Sequence, residues 1–118
     1  MRSWIAALVL LFSATMPAGA AEYLKAVTDL PLATGLKEQA DKATVFDTPV
    51  GRIVNAYATG NVAPEAVLDF YDETLPALGW DRQKAGTYQR KKEILKIDVW
   101  GPDQGPSNVS YTLSSQNQ

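Results

Sequence analysis

The chain of 118 residues contains neither cysteine nor histidine. Without thiols it forms no disulfide, no thiolate metal site and no cysteine nucleophile. Without imidazole it lacks the usual ligand of zinc sites and the usual base of serine hydrolases. The composition therefore predicts a protein with no cofactor and no metal, and it disfavours the most common hydrolytic enzymes.

Long apolar runs are also scarce, and the one clear run lies at the start of the chain. It spans Trp4 to Phe12, follows Arg2 and precedes Ala18-Gly19-Ala20. A positive residue, a short apolar stretch and a small-residue cleavage site are the parts of a secretory signal peptide. The run is about half as long as the ~20 residues that a membrane-spanning helix needs. We therefore expect residues 1–20 to be removed and the mature protein to be periplasmic or secreted, with no stable membrane anchor.

Cleavage after Ala20 leaves 98 residues with a net charge of −3, because Arg2 is lost with the signal peptide. A chain of this length forms one small domain, which its apolar core must stabilise. The acidic balance and the exported location argue against nucleic acid as a partner. The pattern predicts an extended N-terminal arm over 21–43, a folded domain over 44–114 and a disordered polar tail over 115–118.

The folded domain combines one segment of helical period with several short segments of alternating apolar and polar residues. The predicted strands are 52–59, 87–91, 94–100 and 108–114, with 44–46 and 81–84 as short candidates, and the predicted helix begins at Pro64. We expect an α+β fold, a two-layer sandwich with one main helix packed on an antiparallel sheet of about four to five strands. Because the alternation in strand 52–59 is weak, the sequence does not decide which face of this strand is buried. The two alternatives are the face of Val54, Ala56 and Ala58 and the face of Ile53, Asn55 and Tyr57.

The helix ends in the sequence Leu-Pro-Ala-Leu-Gly-Trp, from Leu75 to Trp80. Pro76 has no backbone N–H, so the helix must stop or kink there. Gly79 suits the left-handed residue that closes a helix, which positions Trp80 to pack on the end of the core. We predict that Trp80 is buried together with Phe70, Leu95, Ile97 and Val99.

Trp100 raises a separate question, because it falls on the strand face opposite Leu95, Ile97 and Val99. The N-terminal arm is the expected cover, since its leucines Leu30, Leu32 and Leu36 otherwise lack an apolar environment. A second copy of the protein, forming a homodimer, and a ligand are the alternatives. If Trp100 is uncovered, the predicted partner-binding residues are Tyr57, Lys96 and Trp100. If it is covered, they are the basic hairpin residues Arg90, Lys91 and Lys92.

The charged residues are also segregated along the chain. The basic residues of the predicted meander are Arg82, Lys84, Arg90, Lys91, Lys92 and Lys96, and the acidic residues of the predicted helix are Glu65, Asp69, Asp72 and Glu73. A basic surface favours an anionic ligand or an acidic envelope protein as partner. The alternative is that these residues form an ordinary solvated surface of mixed charge with no partner.

Three segments, VFDTPVGRIVNAYATG, VLDFYDETLPALGW and YQRKKEILKIDVWG, together resemble a family of small uncharacterised exported proteins of Gram-negative bacteria. The most specific element is Phe70-Tyr71 followed by Leu75-Pro76 and Leu78-Gly79-Trp80, and the resemblance covers Leu30 to Leu113. It implies an exported Gram-negative origin and a domain of this kind. The family brings no known activity, so the resemblance assigns no catalytic or binding residue.

Two kinds of function fit these patterns. The first is a small exported, non-enzymatic module that binds an unknown envelope protein or anionic ligand through the open face or an edge of its sheet. The alternative is a cell-envelope enzyme that uses carboxylate or Tyr/Lys chemistry, with Asp47, Asp98 and the helix carboxylates as candidates. No spacing brings two of these carboxylates together, and the sequence has no nucleophile motif. The sequence therefore favours the binding module and assigns no catalytic residue.

Overall fold

A computed structural model of the protein describes residues 22–116, so the predicted signal peptide and Asn117-Gln118 lie outside the described residues. This part of the chain forms one α-helix, two 3-10 turns and seven strands. The strands are β1 (Leu36–Glu38), β2 (Thr44–Thr48), β3 (Gly51–Gly60), β4 (Asp81–Lys84), β5 (Thr87–Arg90), β6 (Glu93–Trp100) and β7 (Ser107–Gln116). Helix α1 spans Pro64–Thr74, and the 3-10 turns span Ala40–Lys42 and Leu75–Leu78. The chain is α+β with an antiparallel sheet, as predicted.

The seven strands form a single sheet, in which six lie in the order β1-β3-β7-β6-β5-β4. Strand β2 pairs with the first half of β3, along the same edge of β3 on which β1 pairs with the last residues of β3. The prediction of four to five strands was wrong. It held the short segments 44–46 and 81–84 only as candidates, and it missed β1, which is too short to show a period of two. Pairing of β1 with β3 depends on Gly60, because a Cβ atom there would lie only 2.0 Å from the carbonyl oxygen of Gly35.

Strands β3 and β7 pair over their full lengths at the centre of the sheet. Strand β7 extends further than the sequence indicates, since Ser115 and Gln116 pair with Arg52 and Gly51. These two residues were expected in a disordered tail, and that expectation was wrong. Their side chains carry no apolar signal, and backbone pairing with a long neighbouring strand holds them instead.

The end of the helix follows the prediction from Leu75 to Trp80. Helix α1 begins with Pro64 in its first turn and passes into the 3-10 turn. Gly79 closes this turn in the left-handed region, with φ of 92°. The N–H of Trp80 then donates to the carbonyl of Leu75 at 3.1 Å, and the Trp80 side chain is buried.

One continuous apolar core lies on one face of the sheet, against α1 and its 3-10 extension. In β3 the buried residues are Val54, Ala56 and Ala58, which settles the choice that weak alternation left open. Of the five residues predicted to be buried together, Trp80, Leu95 and Ile97 are buried, while Phe70 and Val99 are half-buried and pack against the core.

The N-terminal arm packs into this same core. Its buried apolar residues are Leu24, Val27, Leu30, Leu32, Ala33 and Leu36. The prediction that the arm covers Trp100 was wrong, because Trp100 remains 51% exposed. Polar contacts also hold the arm on the core side of the sheet, opposite Trp100. The Glu38 carboxylate accepts hydrogen bonds from the N–H groups of Lys25 and Ala26.

A buried tyrosine completes the attachment of the arm. The Tyr71 hydroxyl donates to the carbonyl of Pro31 at 2.8 Å, accepts from the N–H of Ala33 at 3.2 Å, and lies 2.7 Å from the Tyr111 hydroxyl. Burial raises the pKa of Tyr71 to about 12 and raises that of Tyr111 as well, so both rings stay neutral at physiological pH. Among residues 22–116, no helix combines the length and apolar character needed to cross a membrane.

Candidate functional site

The sheet face opposite the core is the candidate site, and we call it the open face. Strand pairing arranges its side chains in four rows. The rows are Phe46, Ile53, Ser114, Ile94, Gln89 and Asp81; Thr44, Asn55, Thr112, Lys96, Thr87 and Lys84; Tyr57, Ser110 and Asp98; and Lys37, Thr59, Asn108 and Trp100. None of these side chains is buried, in contrast to their neighbours along β3, β6 and β7.

The predicted residues Tyr57, Lys96 and Trp100 all lie on the open face, but they do not touch one another. Tyr57 and Trp100 are one row and two strands apart, which corresponds to about 12 Å between Cα atoms. Lys96 and Trp100 are two rows apart on β6, or about 13 Å. The three residues therefore frame a flat area with Ser110 and Asp98 inside it, and do not form a pocket.

Hydrogen bonds between side chains order the polar part of the open face. The Asn55 amide donates to Thr44 Oγ1 at 3.2 Å, and the Thr112 hydroxyl donates to Asn55 Oδ1 at 3.2 Å. In the last row, the Thr59 hydroxyl lies 3.4 Å from Asn108 Oδ1 and 3.0 Å from the Ser107 carbonyl. These cross-strand contacts hold polar groups in fixed positions across the open face, with Thr59 and Asn108 in the row of Trp100, so a ligand meets a preorganised surface.

Trp100 stands at a free stretch of sheet edge. Strand β5 pairs with β6 only up to Lys96. Beyond that point β6 has only β7 as a neighbouring strand, and Trp100 pairs with Asn108 of β7. The indole ring is thus accessible from the face and from the edge. A large aromatic ring exposed to this degree on a regular strand is a typical anchor of a binding surface.

The basic hairpin lies far from this area. Arg90 to Lys92 form the turn end of β5 and β6, seven residues along β6 from Trp100, or about 23 Å. Arg90 is held in place: its guanidinium lies 4.3 Å from the centre of the Trp80 ring, donates to the Leu78 carbonyl and pairs with Glu93. Lys91 and Lys92 are exposed. The six predicted partner residues therefore fall into two separate groups.

The acidic face of α1 is partly engaged in the fold. The Asp72 carboxylate accepts hydrogen bonds from the Tyr88 hydroxyl and from Arg82 Nε, the latter at 3.2 Å. Burial raises the pKa of Tyr88, and the nearby Asp72 carboxylate raises it further. This contact ties the helix to the β4–β5 hairpin, so Arg82 adds less to a basic surface than the sequence indicated.

Within residues 22–116, the carboxylates Asp47 and Asp98 of the enzyme alternative do not come together. Asp47 pairs with Arg52 at 2.9 Å, far from Asp98 on the other side of the sheet. Residues 22–116 contain no group of three acidic side chains arranged to hold a metal ion. An open cleft of about 390 Å³ is lined by Pro64, Glu65, Leu68, Gly101 and Asp103. Its lining includes two carboxylates, Glu65 and Asp103, and no serine, lysine or tyrosine.

Sequence reasoning missed the polar residues of the open face. The alternation in β7 separates Val109, Tyr111 and Leu113 from Asn108, Ser110 and Thr112, and that period was available as a signal for a polar face. Their alignment with Asn55 and Thr59 required the register between β3 and β7.

Comparison of the chain with family models, with curated proteins and with solved structures gave no match. The resemblance to a family of exported proteins thus remains a prediction, and the geometry of the open face is the remaining guide to function.

Proposed function

We propose that the protein is an exported, non-enzymatic module of the cell envelope that binds a neutral glycan on the open face of its sheet. The observation that carries the proposal is Trp100, an exposed indole on a face whose central side chains are mostly hydroxyl and amide groups. Sugars present C–H groups on their ring faces and hydroxyl groups at their ring edges. An aromatic surface beside fixed hydrogen-bonding groups complements both.

The charge of the open face gives an anionic ligand, one of the partners left open by the sequence, little advantage over a neutral ligand. The rows carry three cations, Lys37, Lys84 and Lys96, and two anions, Asp81 and Asp98, so their net charge is +1. A face with so small a net charge attracts a polyanion only weakly over a distance. The exposed cations Lys91 and Lys92 lie at the other end of β6.

The proposal includes two features that the sequence predicts. One is the signal peptide over residues 1–20, which would deliver the protein to the envelope. The other is a two-layer arrangement, in which α1 and the N-terminal arm cover one face of the sheet and leave the other free for a ligand. Burial of Leu32 and Leu36 in the same cluster as Tyr71 supports this arrangement.

The test is co-sedimentation of the chain from Ala21 with three insoluble supports: cellulose, chitin and heparin-coated beads. We expect binding to at least one of the two glycans and a loss of about tenfold or more in affinity for Trp100→Ala, the size expected for a hot-spot aromatic. Tyr23→Ala is the matched control, because Tyr23 is 53% exposed and Trp100 is 51% exposed.

Both variants should melt within a few degrees of the wild-type protein, since each side chain is half in solvent. Wild-type binding that Trp100→Ala leaves unchanged would refute the proposal, as would the absence of binding to either glycan. Retention on heparin alone, lost on neutralising Lys91 and Lys92, would instead favour the anionic ligand.

A further inference from the structure

The two outer edges of the sheet differ in how they are protected from other strands. Strand β4, at one edge, carries Asp81, Arg82 and Lys84 among its four residues, and its pairing with β5 is interrupted by a register shift. Charged side chains and irregular pairing are the usual means of preventing strand addition. The β4 edge is therefore closed to another strand.

The β2 edge lacks these protections. Its five residues pair with β3 in one continuous register, and no other strand within residues 22–116 pairs with its outer side. Val45 and Phe46 are 55% and 54% exposed, and Val50 in the following turn is 73% exposed. The only charged side chain, Asp47, has its own partner in Arg52 at 2.9 Å. A regular apolar edge of this kind favours pairing with another strand.

The sequence of β2 indicates which strand fits. It reads Thr-Val-Phe-Asp-Thr, so the residues on the open face, Thr44, Phe46 and Thr48, read the same in both directions. We infer that β2 pairs antiparallel with β2 of a second copy of this chain, with Phe46 on the two-fold axis. This contact is isologous, as the interfaces of most symmetric dimers are.

The register follows from the residues that would face each other. With Phe46 on the axis, all five residues pair, Phe46 lies opposite Phe46, and Thr44 lies opposite Thr48. Aromatic pairs and threonine pairs are both favourable across antiparallel strands. An axis at Asp47 would place two carboxylates opposite each other, and an axis at Val45 would remove the aromatic pair.

The dimer would also extend the apolar row that crosses the open face. Phe46 lies beside Ile53 in the pairing of β2 with β3, so the row would run through Ile53, Phe46 and the same two residues of the second copy. The paired strands are short, so we expect a weak dimer of small interface area that forms and dissociates readily.

Cysteine cross-linking tests the inference directly, because the chain has no cysteine of its own. A residue on the axis of an antiparallel pair lies within the distance range of a disulfide. Under mild oxidation, Phe46→Cys should form a covalent dimer at least tenfold faster than Gln83→Cys, the matched position on the β4 edge. Equal rates, or faster cross-linking of Gln83→Cys, would overturn the inference.

Sedimentation velocity of the variants gives an independent measurement. The wild-type chain should sediment faster as its concentration rises, and Phe46→Lys should remain monomeric. Val50→Lys should behave as wild type, since Val50 lies in the turn outside the paired residues. A wild-type chain that stays monomeric up to near-millimolar concentration, or a Val50→Lys variant as defective as Phe46→Lys, would contradict the β2 dimer. Circular dichroism melting shows whether each variant is folded.

Discussion

Replacing Tyr71 by phenylalanine removes one hydroxyl group on which the position of the whole N-terminal arm depends. This hydroxyl uses its full hydrogen-bonding capacity, donating to the Pro31 carbonyl and accepting from the Ala33 N–H and the Tyr111 hydroxyl. In Tyr71→Phe the ring still fills its space, so no cavity forms. Two backbone groups and the Tyr111 hydroxyl lose their partner inside the core.

The expected cost follows from the groups left unpaired. A buried polar group without a partner costs about 1–3 kcal/mol, and part of that is recovered when the arm shifts, so we expect Tyr71→Phe to lose about 2–4 kcal/mol. For a domain of this length that corresponds to a fall in Tm of roughly 10–25 °C. Calorimetry or circular dichroism melting of the chain from Ala21 measures it.

Tyr111→Phe is the matched control, because its hydroxyl contacts only Tyr71 among the hydrogen bonds of the described residues. It should cost about 1 kcal/mol, the value of one hydrogen bond. Hydrogen exchange should show that Tyr71→Phe exposes amides of the arm, including Leu24 and Ala33, before those of β3 and β7. If the two variants are equally stable, or if arm amides stay protected in Tyr71→Phe, the arm is held by apolar packing alone and our reasoning is wrong.

Three further predictions follow from the structure and one from the sequence. Stability should fall as pH rises from 10 towards 12, because Tyr71 ionises near pH 10 in the unfolded state, whereas its pKa in the folded state is about 12. Urea melts should show that the difference in unfolding free energy between wild type and Tyr71→Phe shrinks over that pH range. Gly79→Ala should lower stability by about 1–2 kcal/mol in the same melts, since φ is 92° and the new Cβ would lie 3.3 Å from Arg90 Cδ. Arg90→Ala should cost about 1–2 kcal/mol through the lost contacts with Trp80 and the Leu78 carbonyl, and Arg90→Lys, which keeps the charge, should recover only part of it. Mass spectrometry of exported material should find a chain beginning at or within two residues of Ala21, and retention of Met1 would contradict the signal-peptide prediction.

The parts of the fold that the sequence predicts are those with local causes. The helix end from Leu75 to Trp80 was predicted because Pro76 and Gly79 act on their own backbone, whatever the rest of the chain does. The faces of β6 were predicted because alternation alone separates Leu95 from Trp100. These signals require no knowledge of distant residues.

The parts that were not predicted depend on contacts between distant segments. The arm leucines are apolar enough to pack on either face of the sheet, and the Tyr71 hydroxyl, about 40 residues away in sequence, fixes them on the helix side. The strand count depended on β1, which has little signal of its own. At the candidate site, Trp100 was found from its period, but its polar neighbour Asn108 was not singled out, since no local pattern relates the registers of β6 and β7.

The most direct test of glycan binding on the open face is a nuclear magnetic resonance titration of the chain from Ala21 with a chitin oligosaccharide. We predict concentration-dependent shifts of the Trp100 indole N–H and of the amides of Tyr57, Asn108 and Ser110, with the amides of α1 unchanged. Shifts confined to the Lys91-Lys92 hairpin or to the cleft beside Glu65, or a spectrum that does not change at all, would contradict it.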